Sequence, residues 1–416
     1  MNEKLEKALN IQLGEKYFSQ SALQYDTNVG TLLTPYEYKM FLLYKENVIS
    51  KGDKRFVNLP LVSFNHRFVY YSLSLEFSSL IDSYYDLIKE DRMINDIPLN
   101  ERYSSSFDTS RIYSEIEGSL NVENVPTTRR RLKELIEENA TPKSKNDIII
   151  KNMALAIEYV QGKPEFNKEN LSKLYSILSK DCLDDDDKLR IGELYRYDTV
   201  TVGSYQGCPY NRIEECMDSL FAYTNSVLEK GEQYESLLLP HIAHYYLLYI
   251  HPYFDLNGRT ARMVSYWLYL LSGDTYFPPI ISEAINQNKS KYYRALEQTR
   301  DNHNDLSYFL LYIFNTTIKY ILCYHSLDNI NKECKSQGVL LTSLELHYIK
   351  RIILSYDGAF TYLDFMKFAN IEISKQGALK ILNKLVHFGV LKEKPSPSKT
   401  KLFDINTKHI PFKSSL

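Results

Sequence analysis

Glycine and proline are scarce, 15 and 14 in a chain of 416 residues, which excludes collagen-like or low-complexity content and leaves long stretches free to form helix. Cysteine is scarcer still. The five, at positions 182, 208, 216, 323 and 334, include no C-x-x-C pair, which argues against both a zinc ribbon and a disulfide framework. An excess of either charge is missing: Lys and Arg total 50, Asp and Glu 52. The chain is therefore not built mainly to coat nucleic acid or an anionic membrane. No long apolar run is present. Residues 308–323 begin apolar, but Asn315, Thr316, Thr317 and Lys319 interrupt them, which is poor for a membrane span. The start, MNEKLEKALN, lacks the apolar segment of a secretion signal, so a cytoplasmic setting and no membrane partner are expected. Neither GxxxxGK[ST] nor GxGxxG after a strand occurs, which removes the Walker and Rossmann readings.

What remains is helical in period. Apolar residues make up 44% and charged residues 25%, as in a folded globular chain of two or three domains. Residues 1–105 read as a helical N-terminal region with irregular chain near 58–65. Amphipathic helices are expected near 148–159, 171–178 and 213–228. Residues 236–250 (SLLLPHIAHYYLLYI) are apolar on nearly every face, as in a central buried helix, and 258–271 form a second apolar helix. Further helices are expected over 282–300 and 303–325. Between these helices, the β-branched run Thr199, Val200, Thr201, Val202, followed by Gly203, Gly207 and Pro209, reads as a short strand or hairpin. The polar stretch 329–339 reads as a linker. Residues 340–416 then show three helices and a β-hairpin, the layout of a winged helix-turn-helix.

The chemistry concentrates at 251–262, His-Pro-Tyr-Phe-Asp-Leu-Asn-Gly-Arg-Thr-Ala-Arg, between the two apolar helices. Pro252 stops the first helix soon after His251. Asn257 and Gly258 stand where the next helix begins, and a helix N-terminus offers free N–H groups to an anion. Arg259 and Arg262, three apart, project to neighbouring positions. Together they suit a polyphosphate, with Asp255 as a hard oxygen ligand for Mg²⁺ beside it. His251 is the natural general base near neutral pH. A lone histidine at a helix end is usually a core or capping residue. Burying the whole polar set without a ligand would be costly. His241, His244 and His251 lack H-E-x-x-H spacing, which argues against zinc.

This stretch resembles the signature of the Fic family, H-P-F-x-[DE]-G-N-G-R-x-x-R, matching at His251, Pro252, Asp255, Asn257, Gly258, Arg259 and Arg262. Tyr253 replaces Phe, and Leu256 replaces a Gly. Residues 192–196, a flap at about 198–207, His244, Asn288, Tyr292 and Tyr293 also resemble the family's surroundings. The resemblance covers roughly 106–325 and implies a mainly α Fic core, bounded at 106–328, with a small β-hairpin flap. It implies a nucleotidyltransferase that moves AMP from ATP, with Mg²⁺, to a Ser, Thr or Tyr hydroxyl of a target protein, this chain itself included. His251 would deprotonate the hydroxyl and Asp255 hold Mg²⁺. Asn257, Gly258, Arg259, Arg262 and Asn288 would bind the nucleotide, while the flap at Thr199, Val200, Thr201 and Val202 aligns the target. Residues 113–118, within a segment near 109–118, resemble the family's inhibitory helix, [ST]-x-x-x-E-[GN], at Glu117 and Gly118, with Tyr113 where Ser or Thr is expected. That likeness implies that Glu117 reaches Arg262 and holds catalysis back. Alternatives are removal of AMP from a modified protein, or a nucleotide-sensing regulator that binds DNA. In the tail, Ser374, Lys375 and Gln376 begin the candidate recognition helix, with Lys392, Lys394, Lys399 and Lys401 around the wing. DNA and a second copy of the chain are further candidate partners.

Overall fold

The computed structural model describes residues 2–30, 32–94, 105–203, 205–272, 281–355, 358–369, 371–396 and 400–406. Helices dominate, as expected. In chain order they begin with α1 (Asn2–Gln12), α2 (Gln20–Tyr25), α3 (Pro35–Ser50) and α4 (Leu75–Ile94). There follow α5 (Ser105–Val122), α6 (Arg129–Ile136), α7 (Lys145–Gln161), α8 (Lys168–Ser179), α9 (Ile213–Lys230) and α10 (Gln233–Ile250). The remainder are α11 (Asn257–Leu271), α12 (Ile281–Gln287), α13 (Lys289–Asp301), α14 (Ser307–Ser336), α15 (Ser343–Leu354), α16 (Tyr362–Ala369) and α17 (Lys375–His387). Among the described residues the strands form three antiparallel hairpins. These are β1 (Phe56–Asn58) with β2 (Tyr70–Ser72), β3 (Thr201–Val202) with β4 (Tyr205–Gln206), and β5 (Leu391–Lys394) with β6 (Leu402–Ile405). No described helix is long and apolar enough to cross a membrane.

Local chemistry sets many of these ends. Thr34 and Glu37 cap α3 reciprocally, and Thr342 and Glu345 do the same for α15. Gly231 at φ 62° ends α9. The helix expected over 282–300 is instead two. Asn288 leaves helical geometry at φ −146°, ψ 64°, and its side chain accepts from Lys291 N to start α13.

Two compact units result, Met1–Thr316 and Thr317–Leu416, with the boundary inside α14. This corrects two expectations. Residues 1–105 are not a separate region: they belong to the unit that holds the catalytic stretch. One of the ties is a long-range buried ion pair. Lys45 Nζ lies 2.6 Å from Asp305 Oδ2 with both side chains buried, and the Tyr17 hydroxyl donates to the same carboxylate at 2.9 Å. The stretch 329–339 is not a linker either, because α14 runs through it to Ser336. Its polar residues face outward while Ile330 and Cys334, four apart, are buried.

In the second unit α15, α16 and α17 are followed by the β5–β6 hairpin, which Phe360 joins through a bridge to Phe403. This is the order expected for the tail. The basic wing is not free: Lys394 Nζ lies 3.2 Å from Asp404 and Lys401 Nζ 2.8 Å from Glu393, with Lys392 also facing Asp404. Lys399 lies outside the described residues.

Candidate active site

The site is built by two helices that share a short loop. Nearly every residue of α10 from Leu237 to Ile250 is buried. The helix stops because His251 takes a left-handed conformation, φ 57°, ψ 63°, with Pro252 behind it. Leu256, at φ 69°, makes the second left-handed turn and starts α11. A side chain there is strained by on the order of 1 kcal/mol relative to glycine. Its burial, at 2% exposure, offsets this. Between the two turns Asn257 clamps the loop: its Oδ1 accepts from Tyr253 N at 3.0 Å and its Nδ2 donates to Tyr253 O at 2.8 Å. Asn257 therefore shapes the loop with its side chain. Tyr253 stacks on Tyr175 with centroids 3.7 Å apart, and its buried hydroxyl has no hydrogen-bond partner.

Arg196 joins the flap to this loop. Buried, it donates through Nε to His251 O at 2.8 Å, and through its other nitrogens to the carbonyls of Asp198 and Cys208 on either side of the flap. The flap expected at 199–202 is the β3–β4 hairpin, with Val200 O accepting from Gly207 N at 3.1 Å. Thr199, Thr201 and Val202 are exposed, which leaves a hairpin edge open to another strand. Tyr205 pins the far side. Its hydroxyl donates to Tyr249 O, and the Arg300 guanidinium lies 4.2 Å from its ring centroid.

Under the flap is a cavity of about 700 Å³. His251, Asp255, Asn257, Gly258 and Arg262 all line it, as do Thr201 and Val202. Arg259, Asn288, Thr199 and Val200 do not. Arg259 is buried beside the loop, 3.5 Å from Asp255, and Asn288 is committed to capping α13.

Arg262 is 1% exposed, and its partner is not Glu117. Its Nε donates to Ser119 Oγ at 3.0 Å, and its Nη2 meets Ser119 O at 3.2 Å and Glu123 Oε1 at 2.8 Å. The expectation for Glu117 is thus corrected. Glu117 is half-exposed, with Arg129 Nε 3.4 Å away. Helix geometry gives the reason. Along the line of α5, position 117 lies about 120° around the axis from position 123, just past the helix end, whereas 119 and 123 are about one turn apart on one side. Tyr113 instead donates to Glu137 at 2.7 Å. Gly118 is a packing residue: a Cβ there would lie 2.6 Å from Glu283 N. Glu115 is fully buried against Ser282 N, at 2.9 Å, and burial pushes its carboxyl up to about 7.

Residues 165–269 match the model of the Fic/DOC family. That range, about a quarter of the chain, holds α8 to α10, most of α11 and the whole loop between α10 and α11. Protein adenylyltransferase Fic of Nematostella vectensis is 37% identical over 83 residues, 20% of this chain and 18% of that protein. Protein adenylyltransferase Fic of Drosophila willistoni is 28% identical over 221 residues, 51% of this chain and 41% of that protein. The chain thus spans less than half the length of these curated relatives. A Fic-1 fragment from C. elegans shares the fold, with a TM-score of 0.50 and 17% identity over 78% of this chain and 82% of that one.

At this site, the residues missed at the sequence level are Ser119 and Glu123, which lie outside the matched range. The sequence carries the signal: Ser119-Leu120-Asn121-Val122-Glu123-Asn124 fits [ST]-x-x-x-E-[GN] in full, six residues beyond the string that begins at Tyr113. The Glu123 carboxylate covers the first turn of α11 so closely that a Cβ on Gly258 would overlap it. It therefore occupies Arg262 and stands beside the start of α11. Burial, with Arg196 nearby, lowers His251 to about 4, so its imidazole is neutral at neutral pH. The metal expectation fits the donor set. The half-exposed carboxylate of Asp255 faces the cavity, and Mg²⁺ takes one or two carboxylates and leaves its other positions to phosphates and water.

Proposed function

We propose that this chain transfers AMP from ATP to a hydroxyl side chain of a protein, with Glu123 holding the reaction back. One observation carries the reading: half-buried His251, Asp255, the start of α11 and Arg262 line one cavity beneath the flap hairpin. His251 takes the proton of the incoming hydroxyl. The oxygen attacks the α-phosphorus in line, and pyrophosphate departs. The N–H groups at the start of α11 and the Arg262 guanidinium hold the phosphates. Asp255 would hold Mg²⁺, which supplies charge neutralisation to the phosphates when bound. The flap edge takes the target segment by backbone pairing. The test is intact mass after incubation with ATP and Mg²⁺, using Glu123→Gly. A gain of one AMP on the chain or on an added acceptor supports the proposal. A gain of one phosphate, or none, refutes it.

The reverse reaction is a second reading, favoured by Glu123 lining the same cavity as His251, where it could position a water. Loss of AMP from a modified acceptor, faster with Glu123 than with Gly, distinguishes it. For the tail we propose retention of DNA through α17, which carries Lys375 and Lys380 and no acidic residue, while its Lys384 is paired with Glu345 at 2.6 Å. Since the wing lysines are paired, the salt slope of a gel-shift should be shallow.

A further inference from the structure

His244 lies fully buried in α10, and its Nε2 is 2.8 Å from the Tyr292 hydroxyl oxygen. Its Nδ1 is buried as well and meets no hydrogen-bond partner. Burial, with Arg262 nearby, holds the ring far below its ordinary pKa, so it is neutral and carries one proton. On Nδ1 that proton would be a buried N–H without an acceptor, the costlier kind of orphan. On Nε2 it is donated to Tyr292, which leaves a lone pair on Nδ1 and passes the need for an acceptor to the Tyr292 O–H, a need that the cavity lined by Tyr292 can meet. The Nε2–H tautomer is therefore favoured. Its consequence falls on Tyr292: the phenol oxygen is accepting, so its own O–H must donate elsewhere. Tyr292 lines the cavity, with Arg262 and Glu123 close enough to act on its charge. Burial pushes the phenol pKa up, so the donor is never lost.

We propose that Tyr292 is a phosphate-binding residue, its O–H donating into the cavity to a phosphoryl oxygen beside Arg262, and that His244 is the positioning residue that turns it there. The identity of the ligand rests on the proposed function. A neutral donor suits this place, since it adds a hydrogen bond to the anion without repelling Arg262. It also explains why a His–Tyr pair stands where two apolar side chains would be cheaper to bury.

Two measurements test this. Ring ¹⁵N shifts of His244 in histidine-labelled protein report the tautomer; the Nδ1–H form overturns the proposal. Calorimetry then compares ATP and adenosine binding by Glu123→Gly with and without Tyr292→Phe. ATP should weaken about tenfold, which is about 1.4 kcal/mol, with adenosine unchanged. Equal weakening of both, or no change for ATP, overturns it. Should the parent bind neither, the proposed function fails by itself. Pyrophosphate is then the probe for the same two proteins, and absence of a difference between them overturns the role of Tyr292.

Discussion

Removing the carboxylate of Glu123 is the most direct perturbation of the site. Glu123 Oε1 sits 2.8 Å from Arg262 Nη2, and its side chain is 32% exposed. A hydrogen bond to a charged group contributes roughly 1.5–3 kcal/mol, and partial exposure places this one at the lower end. The fraction of molecules with Arg262 open to a phosphate is then about one in ten or below. Glu123→Gly should therefore raise AMP transfer between about tenfold and a hundredfold. The assay is incorporation of labelled AMP at fixed ATP and Mg²⁺. Two controls frame it. Glu117→Ala removes only a half-exposed pair with Arg129 and should leave transfer unchanged. Glu123→Gly combined with His251→Ala should lose the rise, which separates release of catalysis from loosened structure. The reasoning is refuted if Glu123→Gly binds ATP yet transfers no faster, or if Glu117→Ala reproduces the rise.

His251→Ala alone should lower transfer by about 10²–10⁴-fold while ATP affinity holds, measured by calorimetry beside the rate. Because burial lowers His251 to about 4, the rate should be flat from pH 6 to 8 and fall only as pH approaches 4, where the base becomes protonated. Glu115 gives a stability signature. Its folded value of about 7 stands above its ordinary 4.5, so the stability it lends is full below 4.5 and lost as pH rises through 7. Urea unfolding of Glu115→Gln against the parent between pH 5 and 8 should show that difference sliding by at most about 1.4 kcal/mol per pH unit. Leu256→Gly should relieve about 1 kcal/mol of left-handed strain but forfeit about 2 kcal/mol of buried side chain. A net loss of stability is expected on thermal melting.

The catalytic loop was legible because its signals are local. Pro252, Gly258 and the apolar faces of 236–250 and 258–271 mark two helices and the turn between them within one short window. The match at His251, Asp255, Gly258 and Arg262 then converges in one cavity. What escaped depends on partners far away in sequence. Glu117 and Glu123 both sit in plausible strings, and only the face of α5 turned toward Arg262 separates them. The polar run at 329–339 hid Ile330 and Cys334, whose burial keeps α14 going. Asn288 looked like a ligand residue, whereas its side chain is used up starting α13.

The Lys45–Asp305 pair also sets a timetable for synthesis. The two residues are 260 positions apart, and both are buried once joined. At about 5–20 residues per second, a ribosome needs roughly 13–50 s to make the carboxylate after it has made the ammonium. During that interval Tyr38, Phe41 and Leu42 of α3 have Leu5, Leu9 and Leu23 to pack against, but the Lys45 ammonium has no carboxylate to meet. The nascent N-terminal segment can thus gather its apolar cluster early, while the charge at its centre stays unpaired until the last part of its own domain emerges.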